Sequence, residues 1–308
     1  MSMSVEMVAE GVSLVQVPIP AGIVCLYVVR GQQVAVIDTG YAGTPQEYLI
    51  PALSRVGLGG LDEVDYILNT HGHPDHLGGN AACQVATGAK IALHRADVYL
   101  AGGWGAHVLS STDPCAAMRL LGLGADLRER EDFLRERVRE CRVDRILEDG
   151  DLIDLGKERQ LLVVHTPGHT QGSVAFVDQK RGQAFTGDAI QGWGANDHAL
   201  PLYFDPHAYA SSLRRLLGLD LQSVYLGHPF CWSGTSAPVL RGADVVRIIE
   251  DSLSFVQEAS EAAQGAGENP NDLGFEVMRL LERLEPPFRG KRITPAVAGT
   301  LLAHLANR

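Results

Sequence analysis

Residues 64–76 read VDYILNTHGHPDH, an apolar run that passes directly into three histidines and one aspartate. The run predicts a buried strand, and the polar residues predict a loop at its end. Core packing gives no reason to place three imidazoles and a carboxylate so close together. Because divalent cations prefer imidazole and carboxylate ligands, the segment predicts a metal site formed by His71, His73, Asp75 and His76.

Three isolated residues further along the chain extend this pattern. His169 lies in HTPGHTQGS, Asp188 in AFTGDA and His228 in VYLGHP. Each follows an apolar stretch that is typical of a strand, so each is predicted to lie at a strand end. We therefore expect these three side chains to join the cluster.

The order H-x-H-x-D-H, G-H-T, G-D and G-H resembles the metallo-β-lactamase superfamily over roughly residues 12–232. The resemblance implies an α/β fold, a four-layer αβ/βα sandwich with metals at the edge of its two sheets. It also implies two divalent metal ions, zinc in the first place and iron or manganese as alternatives. The implied ligands are His71, His73 and His169 for the first metal, Asp75, His76 and His228 for the second, and Asp188 as a bridge.

The rest of the sequence fits such a fold. Two halves rich in short strands, with helices between them, predict a sheet-on-sheet core covered by helices. Beyond residue 236 the pattern becomes helical, so we expect a catalytic domain over 1–236 and a C-terminal helical subdomain over 237–308. Helices are predicted over Thr44–Val56, 207–217, Val239–Ala263, Leu273–Leu284 and from Thr294, an N-cap before Pro295, to the end.

The segment 102–140 interrupts the sheet pattern. Its stretch LREREDFLRERVRE places Leu127, Leu134 and Val138 on one stripe of a helix and charges elsewhere. A solvated helix is the simpler interpretation, and a lid over the site is the alternative.

The function implied is hydrolysis of a small ester, thioester or lactone by a metal-bound hydroxide. Asp75 is expected to orient the hydroxide and pass a proton to the leaving group. Tyr203 is a candidate donor to a substrate oxyanion. Asp38, in VIDTG, could hydrogen-bond a ligand imidazole or simply form a turn. The alternatives are a phosphodiesterase or nuclease on the same fold and a non-haem iron redox enzyme similar to persulfide dioxygenases.

One basic cluster in the tail leaves two interpretations open. Arg289, Lys291 and Arg292 form either a solvated turn or a binding site for a thiol carrier. The second interpretation follows from the resemblance, because thioesterases similar to glyoxalase II use basic residues of a C-terminal helical region for this purpose.

Composition limits the class of protein. The net charge of −11 and a pI near 5.4 argue against nucleic acid as a partner and favour a small-molecule substrate. The five cysteines are scattered without a C-x-x-C pair, which fits a reducing cytoplasm. The longest apolar run, residues 23–29, is too short to cross a bilayer, so no membrane span is expected. A homodimer is left open.

Overall fold

Two β-sheets pack face to face, and helices cover both outer faces. The fold is described from a computed structural model, over residues 4–123, 126–195, 200–264, 273–284 and 293–307. The helix–sheet–sheet–helix order confirms the predicted four-layer αβ/βα sandwich.

The first sheet contains seven strands in chain order. They are β1 (Ser4–Ala9), β2 (Val12–Ile19), β3 (Gly22–Arg30), β4 (Val34–Ile37), β5 (Tyr66–Leu68), β6 (Lys90–His94) and β7 (Arg145–Leu147). The strands β1 to β4 are antiparallel to their neighbours, whereas β4 to β7 run parallel. Parallel pairing places the ends of β4, β5 and β6 at one edge of the sandwich.

The second sheet has the order β15-β12-β11-β10-β9-β8. Its strands are β8 (Leu152–Asp154), β9 (Gln160–His165), β10 (Val174–Asp178), β11 (Gln183–Gly187), β12 (Ser223–Leu226) and β15 (Val239–Arg241). A short hairpin, β13 (Cys231–Trp232) and β14 (Thr235–Ser236), precedes β15. The parallel pair β11 and β12 ends at the same edge as β5.

Ten α-helices are present in the described residues. They are α1 (Ile50–Arg55), α2 (Pro74–Leu77), α3 (Asn80–Ala86), α4 (Trp104–Val108), α5 (Pro114–Leu120), α6 (Leu127–Arg137), α7 (Pro206–Leu217), α8 (Ala243–Gln264), α9 (Leu273–Arg283) and α10 (Pro295–Ala306). No described helix is both long enough and apolar enough to cross a bilayer.

The alternation of side chains along β3 shows how the layers form. Cys25 and Tyr27 lie in the core between the two sheets, whereas Val24, Leu26 and Val28 lie in the core beneath α1 and α3. Both faces of the strand are therefore buried, because successive side chains point to opposite faces of a sheet. The outer face of the second sheet packs against α7 to α10 in a third large core.

Several predicted elements are revised by the structure. The predicted helix over Thr44–Val56 begins as a π-helical turn at Pro45–Leu49 before α1. The predicted helix from Val239 is wrong at its start: β15 pairs antiparallel with β12, and α8 begins at Ala243. Leu240 in β15 is buried. An apolar residue at this position is compatible with an edge strand as well as with a helix, which explains the wrong prediction.

The C-terminal helices share one core with the second sheet. Val277 of α9 and Leu301 of α10 belong to the same buried cluster as Val164 and Ala175 of the sheet. Thr294 caps α10 as predicted, since its hydroxyl accepts from the Val297 amide. The division at residues 236 and 237 stays a prediction, and Arg289, Lys291 and Arg292 lie outside the described residues.

The charged segment is packed against the site rather than only solvated. Leu134 and Val138 are fully buried in one cluster with Leu77 of α2. Leu127, which was predicted to lie on the same apolar stripe, is 43% exposed. The Arg130 guanidinium contacts Asp113 at 2.8 Å. Helix α6 therefore supports the short helix α2, which carries two predicted metal ligands.

Candidate metal centre

The seven predicted ligand residues come together at the edge where strands of both sheets end. His71 and His73 follow β5, while Asp75 and His76 lie on α2. The others are on loops of the second sheet: His169 between β9 and β10, Asp188 directly after β11, and His228 after β12.

The first group consists of His71, His73 and His169. The His73 Nδ1 atom lies 2.8 Å from His169 Nε2, and His71 Nε2 lies 3.1 Å from the same atom. All three side chains are at least nine-tenths buried. Their ligand atoms lie within 4.8 Å of one another, which fits a single metal ion.

The second group consists of Asp75, His76 and His228. The His76 and His228 Nε2 atoms are 3.3 Å apart, and the Asp75 carboxylate lies 3.5 Å from His228 Nε2. The Asp75 side chain is 20% exposed, more than its two partners. It therefore lies on the more open side of the cluster.

The Asp188 carboxylate lies between the two groups. Its Oδ2 is 3.5 Å from both His169 Nε2 and His228 Nε2, and its Oδ1 is 3.6 Å from His76 Nε2. A Cβ atom on Gly227 would come within 2.3 Å of Asp188 Oδ1, so this close approach requires glycine. Asp188 is placed to contact cations in either group.

The geometry fits metal ions. Nitrogen ligands about 2.0–2.1 Å from a tetrahedral zinc ion lie about 3.3 Å apart, close to several of these separations. Asp188 Oδ1 is buried and has no hydrogen-bond donor among the described residues. A buried carboxylate oxygen without a donor is costly, and a cation would satisfy it.

Each imidazole of the cluster has one ring nitrogen that faces the other candidate ligands and one that faces away, called here the outer nitrogen. Every outer nitrogen has a hydrogen-bond acceptor. These acceptors are the Thr70 hydroxyl for His71, the Thr112 carbonyl for His73, the Asp38 carboxylate for His76, the Leu202 carbonyl for His169 and the Ile23 carbonyl for His228. A carbonyl or carboxylate can only accept, so the outer nitrogen carries a proton and the inner nitrogen is the one that could bind a cation.

Charge differs between the two groups. Burial and the neighbouring imidazoles hold the pKa of His71 and His73 well below 6.5. Burial also opposes a charge on His76, but the nearby carboxylates, Asp188 first, raise its pKa to about 10. Burial opposes the charge on Asp188, yet His228 and His76 hold its pKa below the usual range. The carboxylates thus concentrate negative potential on the second group.

The sequence analysis missed Asp97, a buried aspartate that joins two ligand loops. Its carboxylate accepts from the Gly72 amide at 2.8 Å, the Thr170 hydroxyl at 2.7 Å and the Gly172 amide at 2.8 Å. Gly72 lies between His71 and His73. Asp97 therefore holds the first ligand loop against the loop of His169.

Gln191 and Thr112 were also missed as supports of the first group. The Gln191 side chain donates to the Leu202 carbonyl at 2.7 Å and accepts from the Leu202 amide, which fixes the acceptor of His169. The Thr112 carbonyl lies 3.1 Å from His73 Nε2. No local signal in the sequence marks either residue.

The weaker predictions have mixed outcomes. Asp38 contacts His76 Nδ1 at 2.8 Å, so the interpretation as a partner of a ligand imidazole is the one the geometry favours. The Tyr203 hydroxyl is fully buried and bonds His304 Nε2 at 2.7 Å. Because this hydroxyl is buried and already bonds His304, it is not placed to donate a hydrogen bond to a substrate oxyanion, as was predicted.

A buried cluster of imidazole and carboxylate groups that could hold divalent cations, at the edge of an αβ/βα sandwich, is typical of one class of proteins, and comparison with known families agrees. The chain matches the metallo-beta-lactamase superfamily over residues 19–228. This match covers more than half of the chain, so the chain belongs to that superfamily.

Similar curated proteins include a hydroxyacylglutathione hydrolase and an acyl-coenzyme A thioesterase. Hydroxyacylglutathione hydrolase of Polaromonas sp. is 32% identical over 174 residues, covering 54% of this chain and 49% of that protein. Human acyl-coenzyme A thioesterase MBLAC2 is 34% identical over 122 residues, covering 39% of each. The chain thus spans about half or less of the length of these relatives.

Similar solved structures extend over almost the whole chain. A metallo-beta-lactamase family protein from Thermus thermophilus is 26% identical, with a TM-score of 0.75, covering 98% of this chain and 94% of that one. A beta-lactamase domain protein from Burkholderia ambifaria has a TM-score of 0.66 at 21% identity, covering 98% and 87%. Because its sequence identity is only 21%, the similarity to the Burkholderia protein supports the fold but not a function.

Proposed function

We propose that the protein is a dinuclear metal-dependent hydrolase of small acyl thioesters. The observation that carries the proposal is the pair of buried ligand groups with Asp188 between them. His71, His73 and His169 would hold one divalent cation, and Asp75, His76 and His228 the other.

Each part of the site would then have a defined task. Divalent cations bound here lower the pKa of water toward neutrality and polarise an acyl oxygen. The buried imidazoles fix the positions of the cations, because each outer nitrogen is held by an acceptor. Asp75, the more exposed carboxylate, is placed to accept a proton from water and return it to the leaving thiolate.

The substrate class rests on the relatives. Hydroxyacylglutathione hydrolase and acyl-coenzyme A thioesterase are both named for thioester substrates. Because both alignments cover only part of those proteins, the thiol carrier and the acyl group are open. We favour a thioester over the lactone and oxygen ester that the sequence also allowed.

Further properties belong to the same proposal. Zinc is the preferred metal because the imidazole-rich groups suit it, whereas the carboxylates of Asp75 and Asp188 also allow iron or manganese. Cytoplasmic localisation and a homodimer stay predictions, which cell fractionation and light scattering would test.

The test measures metal content and hydrolysis together. Purified protein is assayed for bound metal and for turnover of acyl-glutathione and acyl-coenzyme A thioesters, lactones and a phosphodiester. His73→Ala is the inactive control, and His94→Ala, which alters a histidine outside the cluster, is the matched one. We expect metal-dependent thioester hydrolysis that only His73→Ala abolishes. Hydrolysis of the phosphodiester alone, or one iron per chain without any hydrolysis, would overturn the proposal.

A further inference from the structure

A second concave site lies at the opposite end of the sandwich from the ligand cluster. It is a surface pocket of about 670 Å³ formed by turns from both sheets. Gly11 belongs to the turn between β1 and β2, Lys157 to the turn between β8 and β9, and Arg181 to the turn between β10 and β11. The end of α1 closes one side through Arg55 and Val56.

The lining of this pocket is strongly basic. It includes one carboxylate, that of Glu10, and five cationic side chains: Arg30, Arg55, Lys157, Arg159 and Arg181. The chain as a whole carries a net charge of −11, so the positive charge is a local feature. Concave low-dielectric walls lined by one sign of charge focus the field and attract counter-ions.

Arg159 forms the inner wall and is only 3% exposed. Its guanidinium donates to the Glu10 carbonyl at 2.8 Å, while its Nη1 has no hydrogen-bond acceptor among the described residues. The buried Asp178 carboxylate lies 3.9 Å from Arg159 and 3.0 Å from Arg181. Two guanidinium groups therefore share the Asp178 carboxylate.

The outer cations are also without acidic partners. In the described part of the chain, no carboxylate lies within 4.0 Å of the cationic groups of Arg30, Arg55 or Lys157. Arg30 donates to the Val56 carbonyl, which positions its guanidinium at the pocket but leaves its charge uncompensated. Arg55 and Lys157 are exposed.

We propose that this pocket binds a small phosphorylated ligand of nucleoside diphosphate size. Arginine and lysine are the side chains that bind phosphate groups, and five of them surround the pocket. The volume is that of small-molecule sites, about 300–1,000 Å³, rather than that of a flat surface for a polymer. Val5, Met7 and Val56 supply an apolar rim for the remainder of the ligand.

The ligand would not be the substrate undergoing reaction. Strand β11 runs from near Arg181 to Asp188, and β4 runs from near Gly31 to Asp38. Each span is seven residues long, so at about 3.3 Å per strand residue the two sites are up to about 23 Å apart. The pocket is therefore separate from the ligand cluster, with the sandwich core between them.

The test is calorimetric titration of the metal-loaded protein with ADP at physiological salt. The test variant is Arg55→Glu/Lys157→Glu, which reverses two exposed charges. The control is Arg128→Glu/Arg214→Glu, an equal charge change at exposed helix positions. His73→Ala serves as a second control, because phosphate groups can also bind metal ions. Circular dichroism checks that each variant folds.

We expect the affinity for ADP to fall by about tenfold or more in Arg55→Glu/Lys157→Glu and to stay unchanged in both controls. Thioester turnover should be unchanged in the pocket variant. Equal weakening in the Arg128→Glu/Arg214→Glu control would mean nonspecific attraction, and loss in His73→Ala would place ADP at the metals. Either result, or tighter binding of short RNA or anionic vesicles than of ADP, would overturn the proposal.

Discussion

The two ligand groups of the candidate metal centre differ in what surrounds them. The outer nitrogens of His73 and His169 bond backbone carbonyl groups, those of Thr112 and Leu202. In the second group His228 also bonds a backbone carbonyl, that of Ile23, but His76 bonds the Asp38 carboxylate, and Asp75 belongs to the candidate ligand set. The Asp38 and Asp75 carboxylates therefore lie nearest the second group.

The groups also differ in which part of the fold supports them. Leu202, the acceptor for His169, is followed by Tyr203, whose amide and hydroxyl bond Thr300 and His304 of α10. Asp38 directly follows β4 of the first sheet. Changes in the C-terminal helices should therefore affect the first group. Changes at the end of β4 should affect mainly the second group, because Asp38 contacts His76 directly and reaches His71 only through the Thr70 hydroxyl.

Removing one ligand from either group should have the largest effect. We expect His169→Ala and His228→Ala each to lower thioester turnover by about a thousandfold or more, because the proposed mechanism needs a cation in each group. The proteins should remain folded, since each deleted side chain lies in a loop. Steady-state kinetics and metal analysis check this prediction, and near-normal turnover in either variant would show that its group is not needed.

Asp38→Asn should affect the metal affinity of the two groups differently. The amide keeps the size of the side chain but removes the charge behind His76, so we expect a loss of about 10–100-fold in affinity for the second metal. The effect on the first metal should be smaller, because Asp38 reaches His71 only through the Thr70 hydroxyl. Competition with a chelator measures both metals. Equal weakening of the two would contradict a selective role for Asp38.

Acidification should weaken the support of the first group. Burial, with a smaller contribution from His207, lowers the pKa of His304 to about 4. Since the unfolded chain binds this proton near pH 6.5, stability is lost as the pH falls from 6.5 towards 4. Between pH 6.5 and 5 the wild type should lose about 2 kcal/mol more than His304→Gln. Urea unfolding measures the difference, and parallel losses would contradict the assignment.

Tyr203→Phe should have the smallest effect. The change removes one buried hydrogen bond to His304 and should cost about 1 kcal/mol of unfolding free energy, with kcat changed less than about twofold. A loss of kcat of about a hundredfold, with stability unchanged, would instead restore Tyr203 as an oxyanion donor.

The sequence predicts the layer order and the clustering of the seven ligand residues well. The fold follows from apolar runs of strand length with helical stretches between them. The candidate ligands can be found because four of them are local, between His71 and His76, and the other three follow apolar strands. Such signals depend on neighbouring residues and need no knowledge of tertiary contacts.

The supporting residues could not be found in this way. Asp97 contacts residues 25 and 73 positions away, and Gln191 contacts Leu202 across a loop. Each is a single polar residue of a common type, so only the folded chain reveals its partners. The strand at Val239 was missed for a similar reason, because three residues at a sheet edge carry no periodicity of their own.

The most direct test of the central claim is to titrate metal-free protein with Zn²⁺ while following thioester hydrolysis. Two ligand groups joined by Asp188 predict that activity rises to a plateau at two equivalents per chain, with full activity requiring both. A plateau at one equivalent, or no hydrolysis at any zinc concentration, would contradict the dinuclear hydrolase.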